Sequence, residues 1–220
     1  MGCAPSHPGV AAPEVVDSTP DAGAELERLA RKTSSGEFHS QHSLGRRLGA
    51  GSYGCVYAAS RVAGGESVAV KVVDMHEQED YGWKSGQLDF RRQRAVAREV
   101  AVLAALPRSP NLVAFHGLYL GDGLAYIVLE RCSCGLPAAL SRATVLTEAS
   151  MKHVFRDMLS ALARCHAAGI VHRDVKCDNF LVSEERGGCV VKLCDFGLAS
   201  KVPDAKAEVL SGVFGTPPYM

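Results

Sequence analysis

The sequence predicts an α+β chain in two lobes: a five-stranded antiparallel sheet with one main helix, then an incomplete helical lobe. Three observations predict it. Between residues 44 and 130, β-branched runs alternate with glycine-rich turns. One helix-periodic segment, 89–106, interrupts those runs. Past Gly135 the pattern switches to a long amphipathic helix over 150–168, followed by two short strands.

The first 40 residues carry Pro5, Pro8, Pro13 and Pro20 and few large apolar side chains. Such a segment cannot bury enough surface to offset its ordering entropy, so 1–40 is expected to be a disordered tail. Leu26 and Leu29 could organise a short helix over 21–32, which would be marginal alone. The runs 44–50, 55–61 and 67–74 form a three-stranded meander, with Gly64-Gly65 in its second turn. In 89–106, Val96, Val100, Leu103 and Leu106 recur at helical spacing, and Pro107 and Pro110 end the helix. Two more strands, 112–120 and 124–130, flank Gly121-Asp122-Gly123. The buried face of 150–168 is read as Met151, Val154, Phe155, Met158, Leu159, Leu162 and Cys165, with Gly169 as the C-cap. Strands at 180–182 and 190–194 follow, then an irregular loop from Gly197. The sequence thus reads as a small sheet-rich lobe, 44–131, and the start of a helical lobe, 135–220.

Composition narrows the function classes. Lys+Arg and Asp+Glu both number 24, so net charge gives no reason to expect nucleic-acid binding. Apolar residues at 47% exclude a wholly disordered chain. No apolar run is long enough to span a membrane, and no secretory signal opens the sequence. The eight cysteines therefore read as reduced thiols of a cytoplasmic protein. Cys132-Ser-Cys134 is too tight for a zinc pair.

Chemistry concentrates in four places. Gly49-Ala50-Gly51-Ser52-Tyr53-Gly54-Cys55-Val56 is a G-x-G-x-x-G-x-V run joining two strands. A dinucleotide motif would open a helix instead, and the spacing is not that of a P-loop. Glycines in such a hairpin let backbone N–H groups approach phosphate oxygens. Lys71 stands in the apolar run Val68-Ala69-Val70-Lys71-Val72-Val73, where a cation is costly unless paired or at a sheet edge. Glu99 falls on the apolar side of the 89–106 helix, and the two residues explain each other as an ion pair. His172-Arg173-Asp174, Lys176, Asn179 and Asp195-Phe196-Gly197 form a polar group in loops between apolar elements. Asp174, Asn179 and Asp195 are hard oxygen ligands or proton acceptors of the kind magnesium-phosphate chemistry uses.

In this order, these motifs resemble the signature set of the eukaryotic protein kinase family. The resemblance runs from about Leu44 to Met220 and implies a bilobal kinase-like fold. It implies that the glycine loop covers the phosphates of ATP and that Lys71 contacts them while paired to Glu99. Asp174 is implied as catalytic base, with Asn179 and Asp195 holding Mg²⁺. Leu48, Val56, Ala69 and Leu181 correspond to adenine-sandwiching positions, Leu129 to the gatekeeper, and Glu130 to Cys132 to the hinge. Lys176 and Gly215-Thr216-Pro217-Pro218-Tyr219 resemble the Ser/Thr type, so the implied partner is a protein with a Ser or Thr acceptor. Val209-Leu210-Ser211-Gly212 looks most like the calcium/calmodulin-dependent group.

The sequence also departs from the family pattern. The Lys71-to-Glu99 spacing is long, which implies an insertion around Tyr81-Gly82-Trp83. Gly212 stands where many relatives carry an activating threonine, with Ser211 beside it. The chain stops at Met220, before A-P-E, so the resemblance implies a truncated large lobe. The expected consequence is a poorly covered 150–168 helix and little activity in the 220-residue polypeptide. A rival reading is a catalytically inactive, kinase-derived binding module. Finally, Met1-Gly2-Cys3-Ala4-Pro5-Ser6 fits an N-myristoylation acceptor, with Cys3 placed for palmitoylation. Two lipids would anchor the protein on the cytosolic face of a membrane.

Overall fold

A computed structural model describes residues 22–30, 38–51, 54–78, 84–185, 188–202 and 215–216. Two helices precede the sheet: α1 (Ala22–Ala30) and α2 (Phe38–Gln41). α1 falls within the 21–32 stretch where a short helix was possible, while 1–21 and 31–37 lie outside the described residues. Leu26 is 2% exposed and Phe38 also 2%, so each anchors its short helix to the folded body. A nine-residue helix is marginal in isolation, and tertiary packing supplies the missing stability.

The sheet is built from β1 (His42–Gly51), β2 (Gly54–Arg61) and β3 (Ser67–Asp74), joined later by two more strands. Between them lie a hairpin, β4 (His76–Gln78) with β5 (Lys84–Leu88), and the helix α3 (Phe90–Ala105). Asp89 caps α3 by accepting the backbone N–H of Arg91 at 2.8 Å. Then come β6 (Phe115–Gly121) and β7 (Leu124–Glu130). The order is β1-β2-β3-β7-β6 with every pairing antiparallel, the five-stranded sheet expected.

Strand alternation divides the sheet's apolar residues between two cores. Val73, Leu118, Ala125 and Ile127 join Val96, Val100 and Leu103 of α3 in the larger core. Val68, Val70, Tyr126 and Val128 form a second core on the opposite face, capped by Phe38. Phe38 stacks on Tyr126 with ring centroids 4.2 Å apart. The strand expected over 112–120 starts later, at Phe115. Residues 111–113 instead bond to the other lobe: Val113 N–H donates to Leu193 O at 3.1 Å, and Leu193 N–H to Asn111 O at 2.9 Å.

The second lobe opens with β8 (Cys134–Gly135), α4 (Leu136–Arg142) and α5 (Glu148–Ala167). Thr147 and Ser150 close a reciprocal capping box at the start of α5. Gly169 follows the helix at φ 66°, as the expected cap requires. The buried face of α5 needs correction. Ala161 and Cys165 are buried, but Phe155 is 55% and Leu159 64% exposed. The apolar residues of α5 cover more than one arc, and β11 covers only one of them. The sequence reading also missed Asp157, on the buried side of α5, whose Oδ2 accepts Val191 N–H at 3.0 Å.

After α5 come β9 (Ile170–Val171), β10 (Phe180–Glu185), β11 (Gly188–Leu193) and β12 (Ser200–Lys201). They pair as β11-β10-β8 and β12-β9. Among the described residues no helix is long and apolar enough to cross a membrane. The expectations that fall on Gly2, Cys3, Ser52, Tyr53, 81–83 and Ser211 lie outside the described residues.

Candidate active site

Lys71 does not sit at a sheet edge. β3 is flanked by β2 and β7, with Val56 opposite Lys71 on one side and Ile127 on the other. Lys71 is 6% exposed, and its ammonium donates to both Glu99 oxygens, at 2.7 and 2.8 Å. Glu99, on α3, is 5% exposed. Lys71 also reaches Asp195 Oδ1 at 3.5 Å. Burial by itself would lower the lysine's pKa. The two carboxylates outweigh it and hold the group above its ordinary value, so it stays charged.

The loop after β9 carries a second cluster. Asp174 Oδ2 accepts from Lys176 Nζ at 2.7 Å and from Asn179 Nδ2 at 2.9 Å. Its Oδ1 accepts from Thr216 Oγ1 at 2.7 Å, and Lys176 Nζ also donates to Thr216 Oγ1 at 2.7 Å. Burial pulls the Asp174 carboxyl upward, yet the bonds from Lys176, Thr216 and Asn179 hold it below its ordinary value. A carboxylate in this state is ionised at neutral pH.

Arg173 (φ 65°) and Asp195 (φ 57°) both adopt left-handed backbone, which costs a non-glycine residue about 1–2 kcal/mol. Their neighbours hold them there. Arg173 Nε donates to Leu198 O at 2.6 Å. Cys194 N–H donates to Asn179 O at 2.9 Å, fixing the residue before Asp195. His172, 1% exposed, lies between the two loops. Its Nδ1 accepts Asp174 N–H at 3.3 Å, so its Nε2–H donates to Cys194 O at 3.0 Å. Burial holds this imidazole below its ordinary pKa, hence neutral. Its ring meets Phe196 edge-on at 5.0 Å.

Val56, Ala69, Lys71 and Leu129 share one face of the sheet, since directly paired residues project to the same side. Leu48 on β1 is 40% exposed. Cys132 and Leu181 are half-buried on the large-lobe side. Burial, and then the charge of Glu130, push the Cys132 thiol up to about 12. The Glu130 side chain is committed elsewhere. Its oxygens accept from Lys192 at 2.8 Å and from Ala114 N–H at 3.1 Å, and its backbone N–H donates to Ala114 O at 2.8 Å.

Sequence reasoning did not assign His172, Thr216, Phe196 or Lys192. The first three stand inside the motifs already quoted, and that proximity was the available signal. The pairing of Lys192 with Glu130 spans two strands of different lobes and has no local signature.

The donor set fits a hard divalent cation. Asn179 spends its amide nitrogen on Asp174 O at 2.8 Å and on Asp174 Oδ2, which leaves its carbonyl oxygen. The Asp195 side chain is 40% exposed and follows Cys194, whose N–H donates to Asn179 O at 2.9 Å. Among the described residues no group of three or more His, Cys, Asp or Glu could hold a metal. A cation here would therefore complete its shell with phosphate and water oxygens.

The chain is similar to known proteins. A family model described as "Protein kinase domain" matches residues 42–220. The chain is 35% identical over 192 residues to calcium/calmodulin-dependent serine/threonine-protein kinase 1 of Oryza sativa subsp. japonica, covering 84% of this chain and 30% of that protein. It is 33% identical over 186 residues to CBL-interacting protein kinase 20 of the same species, covering 82% and 38%. CDPK-related kinase 8 of Arabidopsis thaliana is 34% identical over 192 residues, covering 84% and 30%. The chain thus spans about a third of the length of these relatives. The matched stretch holds the sheet, the buried Lys71–Glu99 pair and the Asp174 cluster, and on that match the chain belongs to the protein kinase domain family.

Proposed function

We propose that the protein is an ATP- and Mg²⁺-dependent protein Ser/Thr kinase, with Asp174 as the base that receives the acceptor hydroxyl proton. The observation that carries this reading is the Asp174 carboxylate, kept ionised by Lys176, Thr216 and Asn179. As the acceptor oxygen bonds to the γ-phosphorus, the bond to the ADP oxygen breaks and the proton passes to Asp174. Lys176 stands beside the base as a cation toward the transferring phosphoryl group. Lys71, oriented by Glu99, would hold the α- and β-phosphates under the glycine-rich run Gly49, Ala50, Gly51, Ser52, Tyr53 and Gly54. Leu48, Val56, Ala69, Leu129, Glu130, Cys132 and Leu181 would frame the adenine. Asn179 and Asp195 would hold Mg²⁺, which when bound neutralises phosphate charge. Most of the rate then comes from positioning and electrostatics.

The test uses the purified protein with a generic Ser/Thr peptide and labelled ATP. Asp174→Asn should abolish transfer and leave nucleotide affinity nearly unchanged, because the base acts on the hydroxyl proton and not on ATP. Equal transfer by wild type and Asp174→Asn would overturn the assignment. Tight nucleotide binding with no transfer by wild type would favour the non-catalytic module.

A further inference from the structure

α3 is buried over an unusually wide arc. Val96, Ala97, Glu99, Val100, Val102 and Leu103 are all buried. At ~100° per residue these positions sweep well over half of the helix circumference, more than one apolar surface can cover. The second covering is α1. Leu26 (2% exposed) and Ala30 (7%) belong to the same core as Val96, Ala97, Val100 and Leu103, with Leu29 packed against it. These three side chains stand at i, i+3 and i+4, one face of a helix, while Ala24, Glu27 and Arg28 face solvent. α1 lies against both α3 and β6. The helix that α1 covers is the helix that carries Glu99.

We propose that α1 is a built-in positioning element for the active site: by docking against α3 and β6 through Leu26, it holds Glu99 at Lys71, and its undocking lowers activity. This rests on the kinase reading above. Glu99 is buried and makes two short bonds to a single ammonium. A small rotation or outward shift of α3 would break both, and misplacement by about 1 Å can cost ~10²-fold in rate. Leu26 touches no reacting group. It is a positioning residue, acting through α3.

The experiment compares Leu26→Asp, Leu26→Ala and Leu26→Met with wild type, and Glu27→Ala as a control on the exposed face of α1. The first readout is backbone hydrogen exchange of α3, measured without nucleotide. Exchange over 94–103 should rise about ten-fold in Leu26→Asp and less in Leu26→Ala. β2 and β3 should keep their protection, and Leu26→Met and Glu27→Ala should match wild type. The second readout is phosphoryl transfer. Leu26→Asp should lower kcat by about ten-fold, yet have less than about a two-fold effect in a Glu99→Gln background, since both changes act through one ion pair. Unchanged exchange in α3 would overturn the proposal. So would effects of Leu26→Asp and Glu99→Gln that simply multiply. Should Leu26→Asp fail to fold, Leu26→Ala decides by the same two readouts. A wild type without transfer activity would defeat the kinase reading, while the exchange readout would still decide whether α1 holds α3.

Discussion

Thr216 is the residue whose contribution is most open to measurement. Its hydroxyl donates to Asp174 Oδ1 and accepts from Lys176 Nζ, both at 2.7 Å. It is one of three donors that offset the upward pull of burial on the carboxyl. Thr216→Val removes that donor and leaves Lys176 and Asn179 in place. The Asp174 pKa should then rise. Because the deprotonated form is the base, the acid limb of the kcat profile should move to higher pH, with the neutral plateau reduced by loss of alignment. A pH–rate series for the two proteins checks this, and an acid limb that stays fixed would separate Thr216 from the titration of Asp174. Lys71 and Glu99 teach a different lesson at the same scale. The sequence paired them because each was unaffordable alone in apolar surroundings, and the fold brings their atoms to 2.7 Å.

The pairing of β1 with β2 takes in six of the eight motif positions, Gly49 opposite Val56 and Gly51 opposite Gly54 among them. Its glycines are not equivalent. A Cβ on Gly54 would stand 2.3 Å from Val72 O, a backbone atom that cannot turn aside. One on Gly49 would meet nothing within 4 Å. Gly54→Ala should therefore force β2 off β3 and cost about 1–3 kcal/mol, read as a lower urea midpoint. Gly49→Ala should leave the midpoint close to wild type. Equal losses in both would mean that conformational freedom, rather than the approach of two strands, sets the requirement. Among the elements, β7 and β3 were read at their observed bounds, because alternation and flanking turns mark both ends. The β4–β5 hairpin was not. Its strands carry His76-Glu77-Gln78 and Lys84-Ser85-Gly86-Gln87-Leu88, with no apolar alternation to reveal them.

At the scale of the molecule, the two lobes are joined by more than the segment after β7. The bonds between 111–113 and Leu193, and the Lys192–Glu130 ion pair, fix the sheet of the small lobe to the strand that leads into Asp195. Phe155 and Leu159 expose more than half of their surface on α5. Burying such a side chain is worth about 1.5–3 kcal/mol, so paired exposed faces favour self-association. In the 220-residue polypeptide, Phe155→Lys with Leu159→Lys should reduce association seen by sedimentation velocity and change the unfolding midpoint little. Loss of cooperative unfolding instead would mean that these side chains already pack in the folded monomer.

The sequence by itself determined the five-stranded sheet and the helices α3 and α5, and it marked the polar residues that meet as Lys71–Glu99 and as Asp174 with Lys176 and Asn179. Each of these rests on local periodicity, on turn chemistry, or on polar residues in places where packing gives them no reason to be. Lys71 and Glu99 were legible because a charge on an apolar face demands a partner. Tertiary structure alone decided the rest. Leu26 and Leu29 made a short helix legible over 21–32, but that it docks, and where Phe38 sits, could not be read, since a short segment poor in large apolar residues folds only when another surface covers it. The buried face of α5 was misread because its apolar residues span several arcs, and only the position of β11 selects among them. Thr216 met Asp174 across 42 residues, a juxtaposition that no spacing rule contains.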